Sequence, residues 1–566
     1  MKKNSSLLVL SGFLLFTSCH DLDLNPLSSG ATENWYSSET EIEMSVNGLY
    51  RGDFWSPYNV LGDCSDDFIH RENLSSLELG TLNGQSSYVV NLWNNQYKVI
   101  ARANSVLSNY QRALDKGASE QKINTLVAEA RFHKACAYAK LVNAFGDVPW
   151  VDKSLTIEEA FTMGRTAKSE VIKSVYADFE AAAEVLPLKS DPVRATKGAA
   201  WAFKARFALY MGDWETAADA AKKVIDLGIY KLHDNYADFF LAKTKQSAER
   251  VFTIPRSLEY ESILATSTIK SFLSRTAGGF AEINPSWELL ASYTCTDGLP
   301  IDESPLFDPH DPFKNRDPRC CMTIVPFGEN WLGCEYNPHP NVKQVKNYNT
   351  GKMVSNSDNR AIAQYASFNG LVWKKGIDAS WLENGFKVDP DLVVLRYAEV
   401  LLTYAEAKIE MNEIDQSVLD AMNTVRARAY GVDKEQTDKY PAFTNVGQDK
   451  LRVQLRTERR VEFPNEYLRY HDLLRWKLAE VVMTRKVYGM LYPSSMLVSE
   501  VVNKGDWFWA FAPDIDENGL PDFSALEAAG KIIPIAQRAW TNRQYLWPIP
   551  TNEVLINENM KQNPGY

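Results

Sequence analysis

The stretch Ala199–Gly228, AAWAFKARFALYMGDWETAADAAKKVIDLG, constrains the fold of this chain more than any other. Ala202, Ala205 and Leu209 recur at helical spacing, Gly212-Asp213 breaks the run, and Ala217, Ala221 and Val224 resume it on a new face. The pattern predicts two short helices folded back on each other. Small residues at the facing positions let the axes approach closely, and Trp214, just after the break, is placed to fill the wedge between them. One such hairpin cannot cover its own apolar stripe, so it requires neighbours of the same kind.

The order Gly-Asp-aromatic-x-x-Ala matches the turn and second helix of a tetratricopeptide repeat, although the usual Trp-Leu-Gly-Tyr signature of the first helix is mostly missing. Further hairpins follow from the same periodicity. Leu92, Tyr97, Ile100, Ala103 and Leu107 form one helix face, and Ile123 to Phe145 forms the next helix, stopped by Gly146 and Pro149. Ser169 to Leu186 precedes the opening hairpin, and Leu392 to Met411 with Val418 to Tyr430 resumes the pattern. The expected fold is mainly α: a tetratricopeptide-like superhelix of about four helix pairs, with an N-terminal part over 39–229 and a C-terminal part over 390–566. Between them, 230–389 is rich in Pro, Gly, Asn and aromatic residues and reads as a loop-rich insertion carrying short elements of its own.

The first residues read as a leader. Lys2-Lys3, an apolar run from Leu7 to Phe16 and Thr17-Ser18-Cys19 precede a polar linker. The run is too short to span a bilayer of about 30 Å and suits an export signal over 1–18. Small residues ending in Cys19 resemble a bacterial lipobox, with Phe16 where Leu is usual, so Cys19 is the expected lipidation site and 19–38 the tether. An ordinary signal peptide with an incidental cysteine is the alternative. Two or three acyl chains hold a globular body stably at a membrane.

Composition narrows the partners. The formal net charge is −11, or −13 without Lys2 and Lys3, which argues against nucleic acid and anionic lipid surfaces. Six further cysteines are too scattered for a stapled scaffold, although Cys295, Cys320, Cys321 and Cys334 could supply one bridge. No HExxH, GxSxG or phosphate-binding glycine loop is present. The charged run Leu451–Leu478 carries Glu458, Glu462, Glu466, Arg469 and Asp472 at helical spacing, which predicts a salt-bridge lattice rather than a catalytic pair, and Pro464 should end its first helix after Phe463. No cofactor is required by these motifs. Asp514, Asp516, Asn518 and Asp522, with Gly519 at the turn, have the spacing of oxygen ligands for Ca²⁺, but Ala525 stands where the bidentate glutamate belongs.

Several of these segments together resemble the SusD/RagB lipoproteins of Bacteroidetes. The resemblance rests on the CHDLDLNP start, the NGLY helix, Gly62-Asp63 to Asp66-Asp67, AEARFHKACAYAKLVNAFGDVPWV and LRYAEVLLTYAEAKI. Its most specific parts are Glu458-Arg459-Arg460-x-Glu462-Phe463 through Arg475-Trp476 and the terminal WPIP with QNPGY. It implies a surface-exposed outer-membrane lipoprotein that binds a glycan, or in some members a peptide, and partners a SusC-like TonB-dependent transporter. It implies binding without bond chemistry. A protein-only scaffold and a surface glycan hydrolase are the other classes. Sugar rings stack their apolar C–H faces on aromatic side chains while polar groups take the hydroxyls. The expected ligand residues are therefore the loop aromatics Trp55, Tyr58, Tyr88, Trp331 and Tyr336, with Arg71 and Asn73 as polar partners.

Overall fold

Helix follows helix wherever the small-residue stripes predict it. The computed structural model describes residues 35–55, 64–71, 74–190 and 194–566. Cys19, Tyr58 and Asn73 lie outside the described residues. Along the chain come α1 (Glu39–Asn47), α2 (Ser87–Asn109), α3 (Glu120–Phe145), α4 (Lys168–Val185), α5 (Lys197–Met211) and α6 (Trp214–Asp226). After the loop-rich segment come α7 (Tyr397–Glu410), α8 (Gln416–Ala429), α9 (Gln448–Glu462) and α10 (Arg469–Arg475).

Each helix from α2 to α6 packs on the next, and α6 packs directly on α7 although some 170 residues separate them in sequence. The superhelix thus continues across the insertion. In the opening hairpin Thr196 caps α5 by accepting the Ala199 amide, Gly212 ends it at φ +74°, and Asp213 caps α6 through the Thr216 amide. Nearly every side chain of α5 from Gly198 to Leu209 is buried, as the middle member of a stack should be.

The insertion leaves and rejoins the stack at one place. Strand β2 (Arg250–Ile254) pairs antiparallel with β4 (Leu392–Arg396), with Thr253 opposite Val393. A second ladder joins β1 (Phe68–His70) to β3 (Ile283–Pro285), so the loop after α1 is fastened to the insertion. Two-stranded ladders are the largest sheets among the described residues. The insertion has its own apolar core around Trp287, Trp373 and Tyr336, and it shares that core with Tyr488, Trp509 and Phe523 from the end of the chain. The six cysteines of the described residues are free thiols, so the bridge considered for Cys295, Cys320, Cys321 and Cys334 does not form.

The predicted salt-bridge lattice is present and buried. Helix α9 ends at Glu462, as Pro464 requires. The Glu462 carboxylate accepts from Arg396 Nη1 at 2.6 Å, Arg319 Nη1 at 2.8 Å and Arg428 Nη2. Glu458 takes Arg319 at 2.7 Å and Arg426 at 2.8 Å. On the same helix Arg459 binds Asp472, and Arg460 binds Asp67 at 2.9 Å and Asp66 at 2.8 Å. Burial alone would favour the neutral acid, but the guanidinium groups of Arg428, Arg396 and Arg319 hold the Glu462 carboxyl down at about 2.

A carboxyl depressed in the folded state stabilises above its unfolded value and loses that contribution as pH falls through the folded one. Stability measured by urea unfolding should therefore fall as pH drops from about 4.5 towards 2. Glu462→Gln should cost about 3–5 kcal/mol at neutral pH, because it leaves three buried guanidinium groups short of their counter-charge.

Candidate functional site

A cleft of about 860 Å³ opens where the helical stack meets the insertion. Asn95 of α2 contributes from one side, Arg256, Thr268 and Trp381 from the insertion, and Asn465 and Tyr467 from the turn after α9. The mixture of ring faces, amides, hydroxyls and a guanidinium is suited to a polar ligand with apolar patches. Asn465 and Tyr467 adopt φ +59° and +65°, a left-handed geometry that non-glycine residues take only when something over-determines it. Here the determinant is Glu466 between them, whose carboxylate is gripped by Arg396 at 2.6 Å and Lys375 at 2.5 Å. The buried network thereby shapes the cleft.

A second feature adjoins the cleft through the segment 270–283. Ser271 and Ile283 line the cleft, and the Arg71 amide donates to the Glu282 carbonyl at 2.9 Å. The Arg71 guanidinium donates to the Phe280 carbonyl and, at 3.2 Å, to the Tyr365 carbonyl, and it lies 5.2 Å from the centre of the Tyr365 ring. Tyr365 is 51% exposed and Phe280 41%. Arg71 thus pins two loops from distant parts of the insertion so that each presents a ring to solvent.

The structure divides the sequence-predicted ligand residues. Arg71 sits in this platform, as described. Tyr88 is half-buried at the start of α2, where its hydroxyl faces the Cys64 thiol at 3.9 Å. Trp55, Trp331 and Tyr336 are corrected: they are 2%, 7% and 1% exposed and belong to the two apolar cores. Trp55 packs against Phe252 with ring centres 4.9 Å apart and is capped by the Lys140 ammonium at 3.9 Å. Tyr336 spends its hydroxyl on the Gly370 carbonyl at 2.9 Å. Tyr365 and Phe280 are not among the expected residues, because AIAQYASF and RTAGGFAE carry no tryptophan to set them apart from the rest of the insertion.

The Asp514–Asp522 turn is corrected as well. It is a small hairpin pairing Asp514 with Asp522. Asp516 Oδ1 accepts the amides of Asn518 and Leu520 at 2.9 Å, and Oδ2 pairs with Arg485 at 2.9 Å. Asp522 caps the Ser524 amide. The Asp516 and Asp522 oxygens are thus engaged by backbone amides and by Arg485, and no cluster of three or more acidic, His or Cys residues able to hold a metal occurs among the described residues. Nor do the lattice carboxylates form a catalytic pair: Glu458 and Glu462 are fully buried and bound to guanidinium groups.

The profile of the SusD family matches residues 248–566. The chain belongs to the SusD family. Residues 22–209 match a second profile, described as starch-binding associating with outer membrane. A SusD-like protein, P2, from Formosa agariphila is 25% identical over 98% of both chains. The crystal structure of a SusD-like carbohydrate-binding protein from Bacteroides fragilis superposes with a TM-score of 0.76 at 29% identity, covering 93% of this chain and 99% of that one. A laminarin-binding SusD-like protein shares the fold at a TM-score of 0.59 and 21% identity, over 94% of this chain and all of the other. SusD proteins are carbohydrate-binding rather than catalytic and are associated with the outer membrane. No helix among the described residues is long and apolar enough to cross a membrane.

Burial assigns Trp55 to stability in this SusD protein. Trp55→Ala should destabilise by about 3–5 kcal/mol in thermal or urea unfolding, whereas Tyr365→Ala should leave the melting temperature within about 1–2 °C.

Proposed function

We propose that this protein captures a nutrient oligosaccharide at the cell surface and delivers it to a SusC-like TonB-dependent transporter, without cleaving it. Cys19 carries the lipid anchor, and the sugar lies across Tyr365 and Phe280 and into the adjoining cleft. The observation that carries this reading is the pair of solvent-facing rings held by Arg71 beside a cleft of ligand size, on a chain of a carbohydrate-binding family. Tyr and Phe offer flat faces to sugar C–H groups, and the amides of Asn95 and Asn465 and the Thr268 hydroxyl are suited to hydroxyl recognition. Fixed rings also limit the ordering cost of binding.

Binding to a panel of soluble glycans, measured by calorimetry on the chain lacking its leader, tests the reading. At least one glycan should bind, and Tyr365→Ala should weaken it about five- to tenfold. Binding of peptides with no glycan bound would overturn it, as would release of shortened products from a bound glycan. Cys19→Ala should release the protein from the outer-membrane fraction of the producing cell, and retention there would overturn the anchor assignment.

A further inference from the structure

We propose that the glycan taken by this platform is anionic, carrying carboxylate or sulfate groups. The proposal rests on the glycan-binding reading above and specifies its substrate class.

In an acidic chain, the two segments that Arg71 joins are basic. Residues 262–281 and 339–365 contain Lys270, Arg275, Lys343, Lys346, Lys352 and Arg360 against one acid, Asp358. Asp358 is buried and spent internally, accepting the Arg275 amide at 2.8 Å and the Thr276 amide. None of the six cations forms an ion pair with a carboxylate of the described residues, unlike Arg459, Arg460 and Arg469. Glu261 and Glu282 flank the first stretch on either side, and Glu282 is turned to the Ser271 hydroxyl at 2.8 Å.

Three of them, Lys270, Lys346 and Arg360, rest on rings instead. Lys270 Nζ lies 4.4 Å from the centre of Phe386 and 5.7 Å from that of Phe280. The Arg360 guanidinium sits 4.0 Å from Phe368 and 4.4 Å from Tyr492, which is 46% exposed. A cation on a ring face is positioned yet keeps its donors, so an incoming carboxylate or sulfate meets a fixed charge. Neutral sugars offer hydroxyls, which gain little from such a set; acidic sugars supply the missing counter-charges while stacking on the same rings.

The test compares polygalacturonate and a carrageenan, as carboxylate and sulfate probes, with their carboxyl-reduced and desulfated forms and with neutral β-glucans. At least one acidic polymer should bind. Its affinity should drop about tenfold between about 50 and 500 mM NaCl, and its neutralised form should bind at least about tenfold more weakly. Arg360→Gln and the double variant Lys270→Gln/Lys346→Gln should each lose about fivefold or more, with the melting temperature of the lysine double variant within about 1–2 °C of the parent. The responsive probe identifies the acidic group. Salt-independent binding of neutral glycans alone would overturn this inference and leave the glycan-binding reading standing. Failure of every glycan would overturn both.

Discussion

The rest of the structure depends on the burial of Glu462 among Arg319, Arg396 and Arg428. A carboxylate at 0% exposure is expensive to desolvate, and only a full set of counter-charges offsets that cost. Those counter-charges come from separate places: Arg396 from the last residue of β4, Arg428 from α8 and Arg319 from the insertion. Glu249, beside β2, takes Arg396 at 2.7 Å and Arg428 at 3.0 Å. A shift of any one element would leave a buried charge unmatched. The network therefore fixes how the helical stack, the ladder that closes the insertion and the insertion itself sit together, which apolar packing alone specifies less sharply.

Helix α9, and α10 after it, reach the exposed rings through a second set of pairs. Arg460 and Arg469 hold Asp66 and Asp67, some 400 residues earlier in the chain, with Arg469 and Asp66 in a two-point contact at 2.8 and 2.9 Å. The carbonyls of Asp66 and Asp67 accept from Ser286 as β1 pairs with β3. Arg71 follows β1 directly, and its guanidinium sets the Phe280 and Tyr365 loops. The motif at 458–476 and the Asp66-Asp67 motif are thus two halves of one brace, and the exposed rings stand at its far end. Recognition can reside on loops here because their anchor is rigid.

Sequence periodicity revealed the helical frame because burial on a repeating stack leaves a direct mark: Ala202, Ala205 and Leu209 have no other use for their spacing. Opposite charges at three- and four-residue intervals in 451–478 likewise identified a lattice, although not its distant partners Arg319 and Asp66. Loops lack such a period. Trp55 and Trp331 lie in stretches as polar and turn-rich as any binding loop, and only the tertiary fold shows that Phe252 covers one and the insertion core encloses the other. The acidic turn failed for a related reason: ligand spacing says nothing about Arg485, which takes the Asp516 oxygen a cation would need. What remained legible at the platform was charge, namely six cations and one acid across two stretches of an otherwise acidic chain.

That charge distribution bears on how a ligand arrives. Arg459, Arg460 and Arg469 are sunk into the network, where their fields are cancelled by carboxylates within about 3 Å, so they add little at the surface. The unpaired cations of the platform are what a molecule in solution feels there. On the anionic-glycan proposal, cations beside the exposed rings raise the rate of productive encounter as well as the affinity.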